Sequence, residues 1–334
     1  MTRADQRADT DALNTRFVTD TEPHRRELLA HCYRMVGSVH EAEDLVQETY
    51  IRAWRAYRKF EHRSSTRTWL YAIATNVCLD ALTDHRQRVL PSGLGGPYHG
   101  PTAPPDPDST GEFSWLQPFP DALLTPPANN PETLVIDRES LRLALVASLQ
   151  HLPPQQRAIL MLREVLAFST AETAQILGTT RASVKSGLQR ARTRLAELHS
   201  APADLIEPSD PRARTLLAGY IAAFEHSDTN LLEQVLRADA TLEATPFKNW
   251  YEGRASCIRQ LSTYILGTPG DWRMLPTRAN NQPAVITYHR NPHGILTPYG
   301  VAVLTLTPTG ITRVVAFQDP NLVAAFGFPP TPPH

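Results

Sequence analysis

Hydrophobic positions recur at helical spacing in two separate stretches of the chain, residues 20–88 and 132–200. Positions three, four and seven residues apart lie on one side of an α-helix. In the segment EAEDLVQETYIRAW, the side that would face a core carries Ala42, Leu45, Val46, Thr49 and Ala53. We therefore predict an all-α domain in each of these stretches.

A different pattern begins near residue 208. The segment PRARTLLAGYIAAFEHSDTNLLEQVL predicts an amphipathic helix and then a short helix. The alternating segment DATLEATP follows, and GRASCIRQLSTYIL predicts a third helix. Four more strand-like segments with turn residues between them follow: WRMLPTRANN, PAVITYHRN, YGVAVLTLTPTG and ITRVVAFQDP. Helices first and a run of antiparallel strands afterwards are typical of an α+β domain, which we place at residues 208–328.

Residues 89–131 join the two helical domains and contain eleven of the 29 prolines. Proline removes a backbone donor and fixes φ, so this connector cannot form a helix or the middle of a sheet. It has no lysine or arginine, and its acidic residues are Asp106, Asp108, Glu112 and Asp121. Two interpretations stay open: a solvated spacer, or an extended anionic segment that docks along a basic channel of a partner. The second rests on the apolar side chains Phe113, Trp115, Leu116 and Phe119.

The segment FSTAETAQILGTTRASVKSGLQRARTRLAEL predicts two short helices joined by a turn. Ser169 and Glu172 have capping-box spacing, and Gly178 suits the position just after a helix end. Thr180 can cap the second helix. The buried stripe of that helix would be Val184, Leu188, Ala191 and Leu195.

The outer side of this second helix is basic and holds no acidic residue. Its candidate DNA contacts are Arg181, Ser183, Lys185, Ser186, Gln189 and Arg190. In a helix-turn-helix such side chains bond base edges and phosphates in the major groove. A solvated basic face is the alternative. Gly187 lies in the middle of the helix, where glycine costs about 1 kcal/mol relative to alanine, and the sequence does not explain it.

The helix predicted for STRTWLYAIATNVCLD mixes hydrogen-bond donors, aromatic rings and a carboxylate, and basic residues follow it. Its candidate nucleic-acid contacts are Arg67, Thr68, Trp69, Tyr71, Asn76, Asp80, Arg86 and Arg88. Rings beside donors and cations suit the unstacked bases of a single strand. Aromatic core packing is the alternative, and we favour it for Trp69 taken alone.

An acidic stripe marks the other long helix of the first domain. Its members are Glu41, Asp44, Gln47 and Glu48. Carboxylates repel phosphates, so this face points away from DNA, either into solvent or against a basic protein surface.

The bulk properties are those of a soluble globular protein with a formal net charge of −1. The N-terminus lacks a secretory signal and no apolar run is long enough to span a membrane, so we expect a cytoplasmic protein. Cys32, Cys78 and Cys257 are far apart and suit buried positions. No residue spacing typical of a metal site occurs, and we expect no cofactor.

The motifs AEDLVQETYIRAW, STRTWLYAIATNVCLD and LPPQQRAILMLRE…STAETAQILGTTRASVKSGLQRARTRL together resemble regions 2 and 4 of bacterial sigma-70-type factors of the extracytoplasmic-function (ECF) class. The resemblance implies core RNA polymerase as a partner, bound through its clamp helices by the acidic stripe and through its flap. It implies that the segment from Arg67 to Asp80 holds the melted −10 element, with Asn76 helping to capture a flipped base. The helix that begins at Arg181 would bind the −35 duplex. The connector would run through the polymerase cleft.

The third domain resembles the NTF2-like (SnoaL-like) cone found as an extension in one subgroup of these factors. Such a cone encloses a pocket, and its candidate lining residues are Tyr220, Phe224, Glu243, Trp250, Tyr251 and His289. These side chains also suit core packing. In catalytic relatives of the cone a carboxylate in a dry pocket acts as general base, and Glu243 lies near the comparable strand position.

We expect a non-enzymatic sigma factor that directs promoter-specific initiation and is modulated by its own C-terminal domain. A ligand-sensing DNA-binding regulator that acts without polymerase is the alternative, and an NTF2-like enzyme with a DNA-tethering arm is a third. The sequence identifies neither a small-molecule ligand nor an anti-sigma partner. It also leaves open whether the C-terminal domain activates or inhibits.

Overall fold

A computed structural model describes residues 3–83, 87–100, 104, 107–108, 110–124, 139–198 and 204–333. The chain forms two compact units. The helical unit comprises Met1–Arg86, Leu123–Ser140 and Ser148–His199. The mixed unit comprises Gln87–Ala122, Leu141–Ala147 and Ser200–His334.

The first part of the helical unit contains four α-helices. They are α1 (Arg3–Thr21), α2 (Arg25–Val36), α3 (Val39–Tyr57) and α4 (Thr66–Leu82). Ser38 caps α3 by accepting the backbone N–H of Glu41, and Ser65 caps α4 by accepting that of Thr68. The five residues predicted to line the inner face of α3 are all buried, which confirms the helical periodicity.

Four more helices follow the connector in the part of the chain that the structure describes. They are α5 (Leu143–Gln150), α6 (Pro154–Leu160), α7 (Thr170–Ile176) and α8 (Arg181–Leu198), with a π-helical turn at Met161–Val165. The capping box of Ser169 and Glu172 forms as predicted at the start of α7. Gly178 follows the end of α7 with φ of 58°, the left-handed conformation expected there.

Arg157 joins the two parts of the helical unit. This residue of α6 is only 3% exposed. Its guanidinium donates to the carbonyl oxygen of Met35, at the end of α2, and to those of Gln150 and Leu152 at 2.9 and 3.1 Å. It also donates to Oε1 of Gln150 at 2.7 Å. Desolvation lowers the pKa of Arg157 to about 10, so it stays charged at neutral pH while carbonyl and amide oxygens solvate it.

The mixed unit is built on a six-stranded sheet. Its helices are α9 (Pro211–Glu225), α10 (Thr229–Val235), α11 (Arg254–Tyr264) and α12 (Pro320–Ala325). Its strands are β3 (Leu236–Thr245), β4 (Trp250–Glu252), β5 (Trp272–Ala279), β6 (Gln282–Arg290), β7 (Leu296–Thr307) and β8 (Gly310–Phe317). They lie in the order β4-β3-β8-β7-β6-β5.

The α+β prediction is confirmed, including the four last strands and the three predicted helices. One strand pair differs from the expectation of an antiparallel run, because β3 and β8 pair in parallel. Parallel neighbours need a long crossover, and here the whole of α11 and β5–β7 lies between them in sequence. Strand β4 and helix α12 are too short for the hydrophobic pattern to have identified them.

The first part of the connector belongs to the mixed unit. It forms two short parallel strands, β1 (Arg88–Val89) and β2 (Ser114–Trp115), and two 3-10 turns, Pro91–Gly93 and Asp121–Leu123. Leu90, Leu116 and Phe119 are buried. The structure therefore corrects the interpretation of a solvated spacer for this part of the connector, because these apolar side chains are buried and not solvated. Asp106 and residues 125–131 lie outside the described residues.

Two further expectations can be compared with the described part of the chain. All three cysteines are free and buried, as predicted. Within the described residues, no helix combines the length and the apolar character needed to cross a bilayer.

We predict that Arg157→Ala destabilises the helical unit by about 3 kcal/mol or more, because several buried carbonyl oxygens lose their donor at once. The free energy of unfolding from urea denaturation measures this effect. Arg192→Ala is the matched control, since Arg192 forms an exposed ion pair with Glu164 that contributes about 1 kcal/mol at most. Equal losses for the two variants would contradict the prediction.

Candidate nucleic-acid interface

The exposed face of α8 carries every side chain that the sequence assigned to duplex DNA. Six residues are exposed together on this helix: Arg181, Ser183, Lys185, Ser186, Gln189 and Arg190. The opposite face is buried at Val184, Gly187 and Ala191. The surface available to a DNA groove is therefore polar and basic along the first half of the helix.

The turn before α8 fixes where this face begins. Thr180 accepts the backbone N–H of Ser183 at 3.1 Å, so it caps the helix as predicted. Ser186 donates to the carbonyl oxygen of Ser183 at 3.2 Å. Among the described residues, no carboxylate pairs with Arg181, Lys185 or Arg190, which leaves their cationic groups available to an anion.

Gly187 now has a structural explanation. The helix passes close to α6 at this position. A Cβ atom on Gly187 would lie 2.6 Å from Cδ1 of Ile159, which is shorter than a carbon–carbon contact allows. Glycine therefore leaves room for the end of the Ile159 side chain, which would have to move for a larger residue. The missing signal was tertiary, since Ile159 lies 28 residues earlier in the chain.

Helix α4 presents part of the predicted single-strand site and buries the rest. Asn76 and Asp80 are exposed one turn apart. The carboxylate of Asp80 accepts a hydrogen bond from Arg52 at 2.8 Å, and Arg52 also bonds Glu48 at 2.7 Å. Thr68 is half-buried, and its hydroxyl lies 2.9 Å from that of Ser65.

Tyr71 and Arg67 do not have the free surfaces that the sequence suggested. Tyr71 is fully buried, and its hydroxyl donates to Glu27 at 3.2 Å. Arg67 pairs with the same carboxylate oxygen at 3.0 Å and lies over the rings of Tyr71 and Phe168. Desolvation raises the pKa of Tyr71 well above its usual value. Tyr71 is thus a core residue in this structure, and its assignment as a DNA contact stays a prediction.

Three predicted contacts of this region remain: Trp69, Arg88 and Arg86. Trp69 is half-buried and stacks on Phe60, with ring centroids 4.4 Å apart, so the packing interpretation holds for it. Arg88 lies in β1 of the mixed unit and donates to the carbonyl oxygen of Trp115 at 3.1 Å. Arg86 lies outside the described residues.

Two of the four residues in the acidic stripe on α3 are exposed. Asp44 and Gln47 are exposed, Glu41 is half-buried, and Glu48 is paired with Arg52. The same face also carries Ile51, which is 45% exposed. Ile51 was not among the predicted residues, although its spacing of seven residues from Asp44 places it on the same side of the helix.

The candidate pocket of the mixed unit is small. Tyr220, Phe224, Glu243 and Tyr251 line a mainly apolar cavity of about 70 Å³. Trp250 and His289 do not line it. Pockets that hold drug-sized ligands have volumes of roughly 300–1,000 Å³, so this cavity corresponds to a gap in the core rather than to a formed ligand site.

Glu243 is not a free carboxylate. It is 2% exposed. Its Oε1 accepts a hydrogen bond from Nε of Arg313 at 2.7 Å, and its Oε2 accepts the backbone N–H of Ser92 at 3.0 Å. Both oxygens are therefore engaged by an ion pair and by the connector, which is a structural use of the group.

Each of the two helical regions matches a known protein family. The Sigma-70 region 2 family matches residues 21–88, and the Sigma-70, region 4 family matches residues 142–195. The ECF RNA polymerase sigma factor SigG of Mycobacterium tuberculosis is 47% identical over 318 residues, which cover 94% of this chain and 84% of that protein. SigJ of the same species is 28% identical over 227 residues, which cover 67% of this chain and 63% of that protein.

A solved structure is similar over nearly the whole length. The crystal structure of the M. tuberculosis ECF sigma factor SigJ has a TM-score of 0.60 and 20% sequence identity, and the match covers 94% of this chain and 100% of that one. At this identity the similarity shows a shared fold, which includes the C-terminal α+β domain.

We predict that Gly187→Ala does not bring the gain in helix stability that alanine normally gives, about 1 kcal/mol, because the added methyl group meets Ile159. Ile159→Val removes the Cδ1 atom in question, so the double variant should recover most of that gain. A double-mutant cycle in urea denaturation measures the coupling. Additive effects would show that the two residues do not limit each other.

Proposed function

The chain belongs to the ECF sigma factors of RNA polymerase, which direct promoter-specific transcription initiation, and we propose the following residue roles for it. The observation that carries the proposal is the polar face that α8 exposes. This helix is the second one of a helix-turn-helix whose first helix begins with a capping box. Sigma factors bind core polymerase and promoter DNA, so we assign the candidate surfaces to these two partners.

Helix α8 would bind the −35 element as duplex. Its six exposed polar residues fit base edges and phosphates in a major groove, and the N-terminal half of such a helix faces the bases. Arg181, Lys185, Gln189 and Arg190 would contact bases, while Ser183 and Ser186 would contact bases or backbone. Arg192 is held by Glu164 and would contribute less.

Helix α4 would hold the melted −10 element with its exposed side. Asn76 is the best placed residue for an unstacked base, because its amide is exposed and can both donate and accept hydrogen bonds. Asp80 and Thr68 lie on the same helix. Arg67 would join them once its pairing with Glu27 and its contact with Phe168 are released.

The acidic face of α3 would contact the clamp helices of core polymerase, and region 4 would contact the flap. Asp44 and Gln47 supply exposed polar groups and Ile51 supplies an exposed apolar one. An apolar side chain surrounded by charged residues is typical of an interface core with a polar rim.

The two DNA-binding regions must separate to act together. The −10 and −35 elements lie about 25 base pairs apart, which is about 85 Å of B-form DNA. A compact unit of the size of the helical unit has a radius of gyration of only about 15 Å. The packing of Arg157 against α2 and of Phe168 against Tyr71 therefore belongs to a closed form of the factor.

We predict that Lys185→Ala and Arg190→Ala each reduce transcription from the cognate promoter by about tenfold or more, because each removes one charge-assisted contact to DNA. Single-round transcription with core polymerase measures the effect. Arg192→Ala is the control and should change transcription little. Loss of transcription in the control alone would contradict the assignment of the face.

We further predict that Ile51→Asp weakens binding to core polymerase, because it places a charge at the centre of an apolar contact. A fluorescence titration of labelled protein with core enzyme gives the affinity. Ile295→Asp is the matched control, since Ile295 is 55% exposed in the mixed unit. Equal affinities for both variants would place the polymerase contact elsewhere.

A DNA-binding regulator that acts without polymerase is the competing function. It would bind the same duplex tightly in the absence of core enzyme, with a steep dependence on salt. Promoter-specific transcripts that appear only with core polymerase separate the two functions.

A further inference from the structure

Another pocket of the mixed unit is an open groove on its surface. It lies between the start of α9, the paired strands β5 and β6, and the 3-10 turn that contains Asp121. Its volume is about 570 Å³, and it shares no lining residue with the smaller cavity in the core. Pockets that bind small molecules have volumes of roughly 300–1,000 Å³, so the groove is large enough to hold one.

The lining of the groove is mainly apolar. Ala213 and Pro283 are buried, and Leu217 packs against the hydrophobic core of the unit, which holds this part of the lining in place. Pro208 and Pro276 add further apolar surface. Because proline has no backbone N–H, these residues can contact an apolar group but cannot donate a backbone hydrogen bond to it. A ligand that fits the groove must therefore carry an apolar body.

Two arginines supply the polar part of the lining. Arg214 lies in the first turn of α9, and Arg278 lies on β5, where it pairs with Pro283 of β6. Both residues are exposed, and within the described residues neither side chain forms a hydrogen bond or an ion pair. A guanidinium group stays charged at physiological pH, and its planar donors match the two oxygens of a carboxylate or a phosphate.

The carboxylates that precede α9 are already paired with other cations. An oxygen of Glu207 lies 2.8 Å from a guanidinium nitrogen of Arg142, and an oxygen of Asp210 lies 2.8 Å from one of Arg212. These acids therefore do not neutralise the two arginines of the groove, whose positive charge is available to a ligand.

Asp121 lines the groove itself. Its Oδ1 accepts the backbone N–H of Asn281 at 2.8 Å, and within the described residues it forms no ion pair with either arginine of the groove. Its negative charge disfavours an anionic group at its own end of the groove. The charged end of a ligand therefore belongs at the arginines, and the apolar body belongs along the prolines.

We propose that this groove binds a small organic oxyanion, a carboxylate or a phosphate monoester on an apolar body. Arg214 and Arg278 hold the oxyanion, and Leu217 and the prolines contact the apolar body. This site goes beyond the proposed sigma function, and it is formed by residues of the mixed unit alone.

Three probes of similar shape test the site by calorimetric titration of the full-length protein: phenylacetate, phenyl phosphate and the neutral phenylacetamide. We expect at least one of the two oxyanions to bind about tenfold more tightly than phenylacetamide, because only a charged end engages the guanidinium groups. At about 1 M salt, where the Debye length is only about 3 Å, this preference should shrink.

Arg214→Gln and Arg278→Gln should each weaken oxyanion binding about fivefold, since each removes one charge-assisted contact. The double variant should bind the oxyanions no better than phenylacetamide. Arg259→Gln is the matched control, because Arg259 is an exposed arginine of α11 that does not line the groove. It should leave all three affinities unchanged.

Ala122→Trp tests the apolar part of the site by a different route. Ala122 is exposed and lines the groove, so an indole ring at this position takes up space that the ligand needs. We expect it to weaken the binding of both oxyanions about tenfold or more. Ala255→Trp, at an exposed position of α11 outside the groove, is the control and should change nothing.

Equal affinities for all three probes would overturn the proposal, and so would the absence of binding by both oxyanions. Losses in Arg259→Gln as large as those in the two groove variants would also overturn it, because the oxyanion would then bind surface arginines in general. The arginine variants change only exposed side chains, so they keep the test decisive if Ala122→Trp folds poorly.

Discussion

The architecture depends on one constraint: the connector cannot satisfy its own backbone or bury its own side chains. Its prolines prevent a long helix or the middle of a sheet, so it forms only a two-residue ladder and short turns, and a buried backbone polar group without a partner is costly. The mixed unit supplies what the connector lacks. It offers a pocket for the ring of Phe119, backbone partners at Trp250 and Asn280, and a buried ion pair for Ser92. A segment with the composition of a spacer thereby becomes part of a folded domain.

Most of the elements could be predicted from periodicity, because helices and strands are encoded by neighbours in sequence. The buried face of α3, the capping box at Ser169 and the exposed face of α8 all follow from local spacing. The features that sequence reasoning missed depend on residues distant in the chain. Tyr71 is buried beside Phe168, Gly187 faces Ile159, and the connector packs on a sheet more than a hundred residues later.

The charge distribution explains how a protein with a net charge of −1 can contact DNA. Arg181, Lys185 and Arg190 on the outer side of α8 pair with no carboxylate among the described residues, whereas α3 groups its acids on one face. Arginines that would add to the DNA-binding surface are paired in this structure: Arg52 with Glu48 and Asp80, and Arg67 with Glu27. Both sets of ion pairs lie within region 2, and of these arginines Arg67 also contacts Phe168 of region 4.

Glu243 shows why the residue type alone does not decide the role of a carboxylate. A buried carboxylate in a dry cavity can serve as a general base only if its proton-accepting oxygen faces a substrate. Here both oxygens are occupied, one by Arg313 and the other by Ser92 of the connector. Desolvation makes a buried ion pair contribute little net stability. The fixed geometry of the pair nevertheless restricts which groups can form hydrogen bonds with it. Such a pair suits a contact that must be selective and still able to open.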